Sequence, residues 1–195
     1  MKTKLIGLKR STVIAASALV VGGLAACSGP DSSGGEPPRN PPQETATGPK
    51  VSDPRDPSAV DLCSLLPADK AVSLGYEGQG KVLKSPSPDS PETCSWGTAD
   101  RNNTVSLAPI KDRSIQDYYD NKSKFVDFQE LTISGHPAVR ANKGDPAKDG
   151  WCSIYLATTD SSLLYAFARD SSKADACGIA QKALEASVPT LPAAR

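Results

Sequence analysis

The chain has one histidine and one methionine, and aromatic residues make up only 5% of its 195 positions. Each scarcity removes a class of function. A lone histidine cannot build a histidine-rich metal centre, and His136 would need a nucleophile and an orienting carboxylate beside it to act as a catalytic base. No GxSxG elbow, phosphate-binding loop or dinucleotide fingerprint occurs. No two of the five cysteines stand in a CxxC pair, which argues against a zinc site. No two acids are spaced as a recognisable pair for acid–base work. The expected catalytic, metal and cofactor sets are therefore empty, the chain is read as no enzyme, and His136 is expected in a functionless Gly-His-Pro turn. Basic excess is absent too: 22 basic residues face 22 acidic ones, a poor balance for binding nucleic acid. The uncharged stretch over residues 11–26 stops short of the roughly 20 apolar residues that span a bilayer.

What is present begins at the N-terminus. Lys2, Lys4, Lys9 and Arg10 precede that uncharged stretch of small and apolar residues. A basic region, a short apolar region and a small-residue end are the parts of a secretory signal peptide. Its last residues, Leu24-Ala25-Ala26-Cys27, resemble a bacterial lipobox. The resemblance implies cleavage between Ala26 and Cys27 and lipidation of Cys27 with a diacylglyceryl group. Cysteine parity agrees, since an odd cysteine in an exported chain has a separate role. Setting Cys27 aside leaves Cys63, Cys94, Cys152 and Cys177, enough for two disulfides in an oxidising compartment. One acyl chain binds a membrane marginally, whereas two hold firmly. The expected location is the outer, extracytoplasmic face of the cell membrane. Losing residues 1–26 removes four basic residues and no acid, leaving 18 against 22, a net charge of −4. The lipid, rather than charge, is the expected membrane contact.

Residues 27–58 are expected to be the lipidated cysteine and a disordered tether. Proline, glycine, serine and charge dominate them, and such a segment cannot bury enough surface to offset its ordering entropy. Its prolines favour extended chain at about 3.1 Å per residue, a reach of up to roughly 90 Å.

Residues 59–195 read as a single globular domain. Pro67 and Gly75 punctuate a short helix with Leu66, Val72 and Leu74 on its apolar side. Residues 80–85, 93–97 and 104–108 read as strands, with a loop over 85–91 and a turn over 100–103. Ser114 is expected to cap a helix through Ile115, Tyr118 and Tyr119. Residues 128–133 and 138–142 form a hairpin around Ser134-Gly135-His136-Pro137. The clearest pattern is residues 152–158 returning through Leu163, Tyr165 and Phe167, with strict alternation across a polar turn. Cys177, Ala180, Leu184 and Val188 then mark one face of a final helix over 174–188. This order predicts an α+β domain, an antiparallel sheet backed by short helices and stapled by disulfides.

Four cysteines allow three pairings. A hairpin brings the end of its second strand beside the start of its first, which favours Cys152 with Cys177 and leaves Cys63 with Cys94. Each bridge would be worth about 3 kcal/mol. Joining Cys63 to Cys177 and Cys94 to Cys152 stays open as the alternative.

Taken in order, the lipobox, the proline-rich tether, Asp61-Leu-Cys63-Ser-Leu-Leu66, Cys94-Ser-Trp96, Ile133-Ser-Gly135-His-Pro-Ala138, Cys152-Ser-Ile-Tyr-Leu156 and Cys177 before Leu191-Pro192 resemble the actinobacterial lipoproteins called domain of unknown function 3558. The resemblance implies a small surface-anchored domain and brings no catalytic residues with it. The expected function is a non-catalytic binding or scaffolding module of the cell envelope, for an envelope protein or a small apolar ligand. A carrier of lipid or lipoglycan in an apolar cavity is the alternative, and a secreted hydrolase the least supported. Trp96, Trp151, Tyr118, Tyr119, Tyr155, Tyr165 and Phe167 are candidates to line a ligand pocket, with packing on disulfides and helices the preferred reading. Asp145, Asp149 and Asp160 are read as solvated loop charge rather than calcium ligands.

Overall fold

Seven runs of alternating side chains pair into one sheet. They are β1 Lys81–Leu83, β2 Thr93–Gly97, β3 Asn103–Lys111, β4 Asp127–Ile133, β5 His136–Asn142, β6 Trp151–Thr159 and β7 Ser162–Asp170. The computed structural model describes residues 48–85, 87 and 90–195. The expected signal peptide, Ala26, Cys27 and the tether as far as residue 47 lie outside the described residues. The strand order is β1-β2-β3-β7-β6-β5-β4, every neighbour antiparallel. Four α-helices accompany the sheet among the described residues: α1 Ala68–Ser73, α2 Gln116–Asp120, α3 Pro146–Asp149 and α4 Ala176–Ser187. The architecture is the expected α+β.

The topology follows from one crossing. From β3, in the middle of the sheet, the chain passes through α2 to the far edge at β4 and returns as a meander to β7. α2 therefore covers one face. α4, after β7, covers the other.

The α4 face is the larger core. Asp175 caps the helix by accepting from the Gly178 amide at 3.0 Å. Ala180 and Ala183 are fully buried, as are Ala166 and Ala168 of β7. Alanine on both surfaces lets helix and sheet approach closely, and Ile154, Leu156, Leu164 and Leu184 fill the remaining volume. Two disulfides tie the layer together. Cys63–Cys94 joins the 3-10 turn Leu62–Ser64 to β2, and Cys152–Cys177 joins β6 to α4. Their sequence separations of 31 and 25 correspond to about 3–4 kcal/mol each in the chain-entropy account. Gly80 crosses directly above the first bridge. A Cβ there would meet the Trp96 ring at 2.6 Å, so only glycine fits.

Several expectations need correction. The tether does not extend to residue 58. Arg55 bridges Ala193, the Arg55 amide donates to Thr158 O at 2.8 Å, the Asp56 amide to Pro192 O at 2.9 Å and the Ala194 amide to Pro54 O at 2.9 Å. The domain's two ends thus clamp each other against a β-bulge at Thr158. Tertiary hydrogen bonds order this strap, and its composition carries no trace of them. Val72 does not face the core but is 61% exposed; Ala71 is the buried side chain of α1. His136 is not in a turn. The β4–β5 connection is only Ser134-Gly135, with φ of 50° and 82°, which suits a two-residue hairpin. His136 pairs with Ile133 as the first residue of β5 and is 1% exposed. β3 runs on through Pro109, and β5 includes Pro137. Both prolines lie where the strand has one bonded neighbour, so the missing N–H is tolerated.

Candidate functional site

The face opposite α4 is only partly covered, and its aromatic residues gather there. Alternation places Tyr155 of β6 and Tyr165 of β7 on this face, directly paired across the hairpin. Their rings stack with centroids 5.0 Å apart, and Tyr118 of α2 lies on Tyr155 at 4.3 Å. Phe167 follows on β7, two residues along on the same face. The β3 positions beside Tyr165 and Phe167 are Ala108 and Ser106, both small. The surface therefore drops between the rings of β7 and the pair Leu83 and Thr93 on β1 and β2.

That drop is an open groove of about 570 Å³, within the size range of small-molecule sites. Tyr155, Tyr165 and Phe167 make one wall. Leu83, Thr93 and Pro91 belong to the other, with Lys84, Ser85 and Ser90 at its rim. Ile110, near the end of β3, and Arg113, just after it, line the part nearest α2.

Burial controls the chemistry of this wall. It pushes the Tyr165 hydroxyl up to about 12 and the Tyr155 hydroxyl further still. Burial also raises Tyr118, against a lowering by the neighbouring Arg113 guanidinium. The phenols therefore stay neutral hydrogen-bonding groups at physiological pH. The Ser153 hydroxyl stands 3.4 Å from the Tyr165 hydroxyl. Arg113 is held above its usual value, first by the Tyr118 hydroxyl against its guanidinium. Lys84 is matched by Glu92 at 2.7 Å. Among the described lining residues there is no carboxylate, histidine or thiol.

Of the seven aromatic candidates, the fold brings Tyr118, Tyr155, Tyr165 and Phe167 together here. Tyr119 lies elsewhere, edge-on to Phe128 at 6.1 Å. Trp151 is half-exposed opposite Arg169. Trp96 is fully buried on the α4 face, its indole N–H without a partner among the described residues. Arg113, Ile110 and Leu83 carry no local signal, because pairing of β1 with β2 and of β3 with β7, and the Arg113 amide's bond to Ser161 O, set their places.

The remaining candidates are structural. His136 Nδ1 lies 2.9 Å from Ala157 O, a geometry in which its N–H donates to that carbonyl. Asp145 caps α3 and pairs with Lys148 at 3.1 Å. Asp149 closes the same helix, and Asp160 lies in the β6–β7 turn, where it accepts from the Val51 amide at 3.4 Å. Cys63, Cys94, Cys152 and Cys177 are consumed by the two disulfides.

Fold and site define a disulfide-stapled antiparallel α+β domain with an open aromatic groove on its less covered face. The chain belongs to the family described as protein of unknown function (DUF3558), whose model matches residues 22–190. No curated protein and no solved structure matches it.

Proposed function

We propose that this chain is an exported lipoprotein of the actinobacterial type, held by acyl chains on Cys27 at the outer face of the cell membrane. Its folded domain is a non-catalytic binding module, and the groove is its ligand site. The groove carries the binding reading: stacked neutral tyrosines and aliphatic side chains offer adhesion, and the described lining holds no carboxylate, histidine or thiol. The anchor is supported by the basic and apolar leader, by Leu24-Ala25-Ala26-Cys27, and by the disulfides, which leave Cys27 no partner cysteine within the chain.

Two measurements test the two halves. Intact mass and membrane partition of the wild type and of Cys27→Ser in the native host test the anchor. A wild type that starts at Cys27 with acyl mass and a variant that does not support it; release of unlipidated wild type overturns it. Native mass spectrometry of the purified full chain tests the site. A co-purified small molecule that is lost in Tyr165→Ala supports the groove, and one retained by that variant moves the site elsewhere. A bound lipid would favour the carrier reading, which the apolar wall also suits.

A further inference from the structure

The groove has a polarity that narrows its ligand, an inference that rests on the groove being the binding site. Its body is aromatic and aliphatic. Its one cation without a carboxylate is Arg113: among the described residues Arg113 forms no ion pair, and Asp117 adds only a longer-range attraction. Lys84, the other cation of the lining, is matched by Glu92. Tyr118 ties Arg113 to the aromatic stack, since its ring lies on Tyr155 and its hydroxyl against the guanidinium. Arg113 is itself exposed, and its planar guanidinium presents paired donors to an oxyanion at the end of the apolar wall.

We propose that the groove takes a small soluble anionic amphiphile. Its flat apolar body lies along Tyr165 and Phe167 between β7 and β1–β2, and its single carboxylate, sulfonate or phosphate reaches Arg113. The volume of about 570 Å³ admits one such molecule rather than a membrane surface.

Two fluorescent probes with nearly the same aromatic body separate the contributions. Anilinonaphthalene sulfonate carries an anion, and N-phenyl-1-naphthylamine does not. Titrated into the folded full-length protein, the sulfonate should bind about tenfold more tightly, the difference expected of one charge-assisted contact. Arg113→Gln should abolish that difference and leave the neutral probe unchanged, whereas Arg113→Lys should restore part of it. Phe167→Ala should weaken both probes. Near-ultraviolet circular dichroism of each variant ensures that probe binding reports on the native groove. Equal affinity for the two probes, or a sulfonate affinity insensitive to Arg113→Gln, overturns the anion assignment while the groove stands. Binding of neither probe, or of both unaffected by Phe167→Ala, overturns the groove itself.

Discussion

The two faces of the sheet solve different problems with the same backbone. Against α4 the surface is built from alanines, leucines and both disulfides, and its central residues are wholly buried. Against α2 a smaller buried patch of Val139, Ala141, Ala157 and Leu163 gives way to partly exposed tyrosine, phenylalanine and serine, and ends in the groove. Small aliphatic residues permit close approach and leave no room for a ligand. Large rings beside small residues leave steps that a ligand can fill, and their neutral hydroxyls tolerate both an apolar body and water. Stability is concentrated on one face, and recognition is free to occupy the other.

Substitutions can break that separation, and the largest effect should come from the covalent layer. Replacing Cys152 and Cys177 together by alanine should lower unfolding free energy by about 3–4 kcal/mol, read by denaturant titration, with probe binding by the surviving native fraction unchanged. Asp170 comes next. It is buried at the end of β7 and accepts from the Ser172 amide and hydroxyl and from the Ala174 and Asp175 amides at 2.6–3.0 Å, fixing the path into α4. Asp170→Ala should cost about 2–3 kcal/mol, as expected for losing hydrogen bonds to a charged acceptor. The Ser172 hydroxyl, and then the Asp175 amide, hold its carboxyl below the ordinary 3.8. Its contribution is therefore complete above that value and lost as pH falls through the lower folded-state pKa. Acid titration of the wild type should show this loss, and the variant should lack it.

Gly80→Ala should cost about 1–3 kcal/mol through overpacking against Trp96. A thermal melt indistinguishable from wild type would show that the β1 segment yields, and that the stapled face is less rigid than its packing implies. On the other face the balance should invert. Phe167→Ala should change stability by less than about 1.5 kcal/mol, since its ring is only half-buried, yet weaken probe binding several-fold.

The smallest effect is a pH dependence confined to the alkaline range. Burial raises all five tyrosines above 10.0, with Tyr76 and Tyr165 reaching about 12. A raised phenol contributes stability that is complete below the unfolded value and is lost as pH rises through the folded one. The melting temperature should therefore be insensitive to phenol ionisation at neutral pH and fall between pH 10 and 12, tracked by phenolate absorbance.

Legibility divided along the same line. Alternation over β6 and β7 and the three-or-four spacing of α4 revealed the central hairpin and its covering helix, because local periodicity and burial coincide there. Tyr155 and Tyr165 are among the candidate pocket residues, but only the strand register brings them side by side on one face. Pro109 and Pro137 misled because proline reads as a strand boundary unless one knows that the neighbouring ladder has ended. Val72 misled because an apolar residue in a six-residue helix has little periodicity to orient it. Arg113 was silent, since a lone arginine acquires meaning only from the Tyr118 hydroxyl beside it. The strap around Arg55 was silent as well, because its bonds go to residues more than a hundred positions away.

The strap gives the domain a mechanical sequence of events. A pull on the chain ahead of residue 48 is borne first by Val51, bonded to Asp160 and packed on the domain, and then by the hydrogen bonds of Pro54, Arg55 and Asp56 to Thr158 and the C-terminal segment. Once these yield, the peptide can unwind only as far as Cys63, where the load passes through sulfur into β2. About fifteen residues, on the order of 50 Å of extended chain, are released before the sheet feels tension. The domain therefore has a built-in length reserve in series with whatever holds its N-terminal end, and a covalent stop that protects the groove while that reserve is spent.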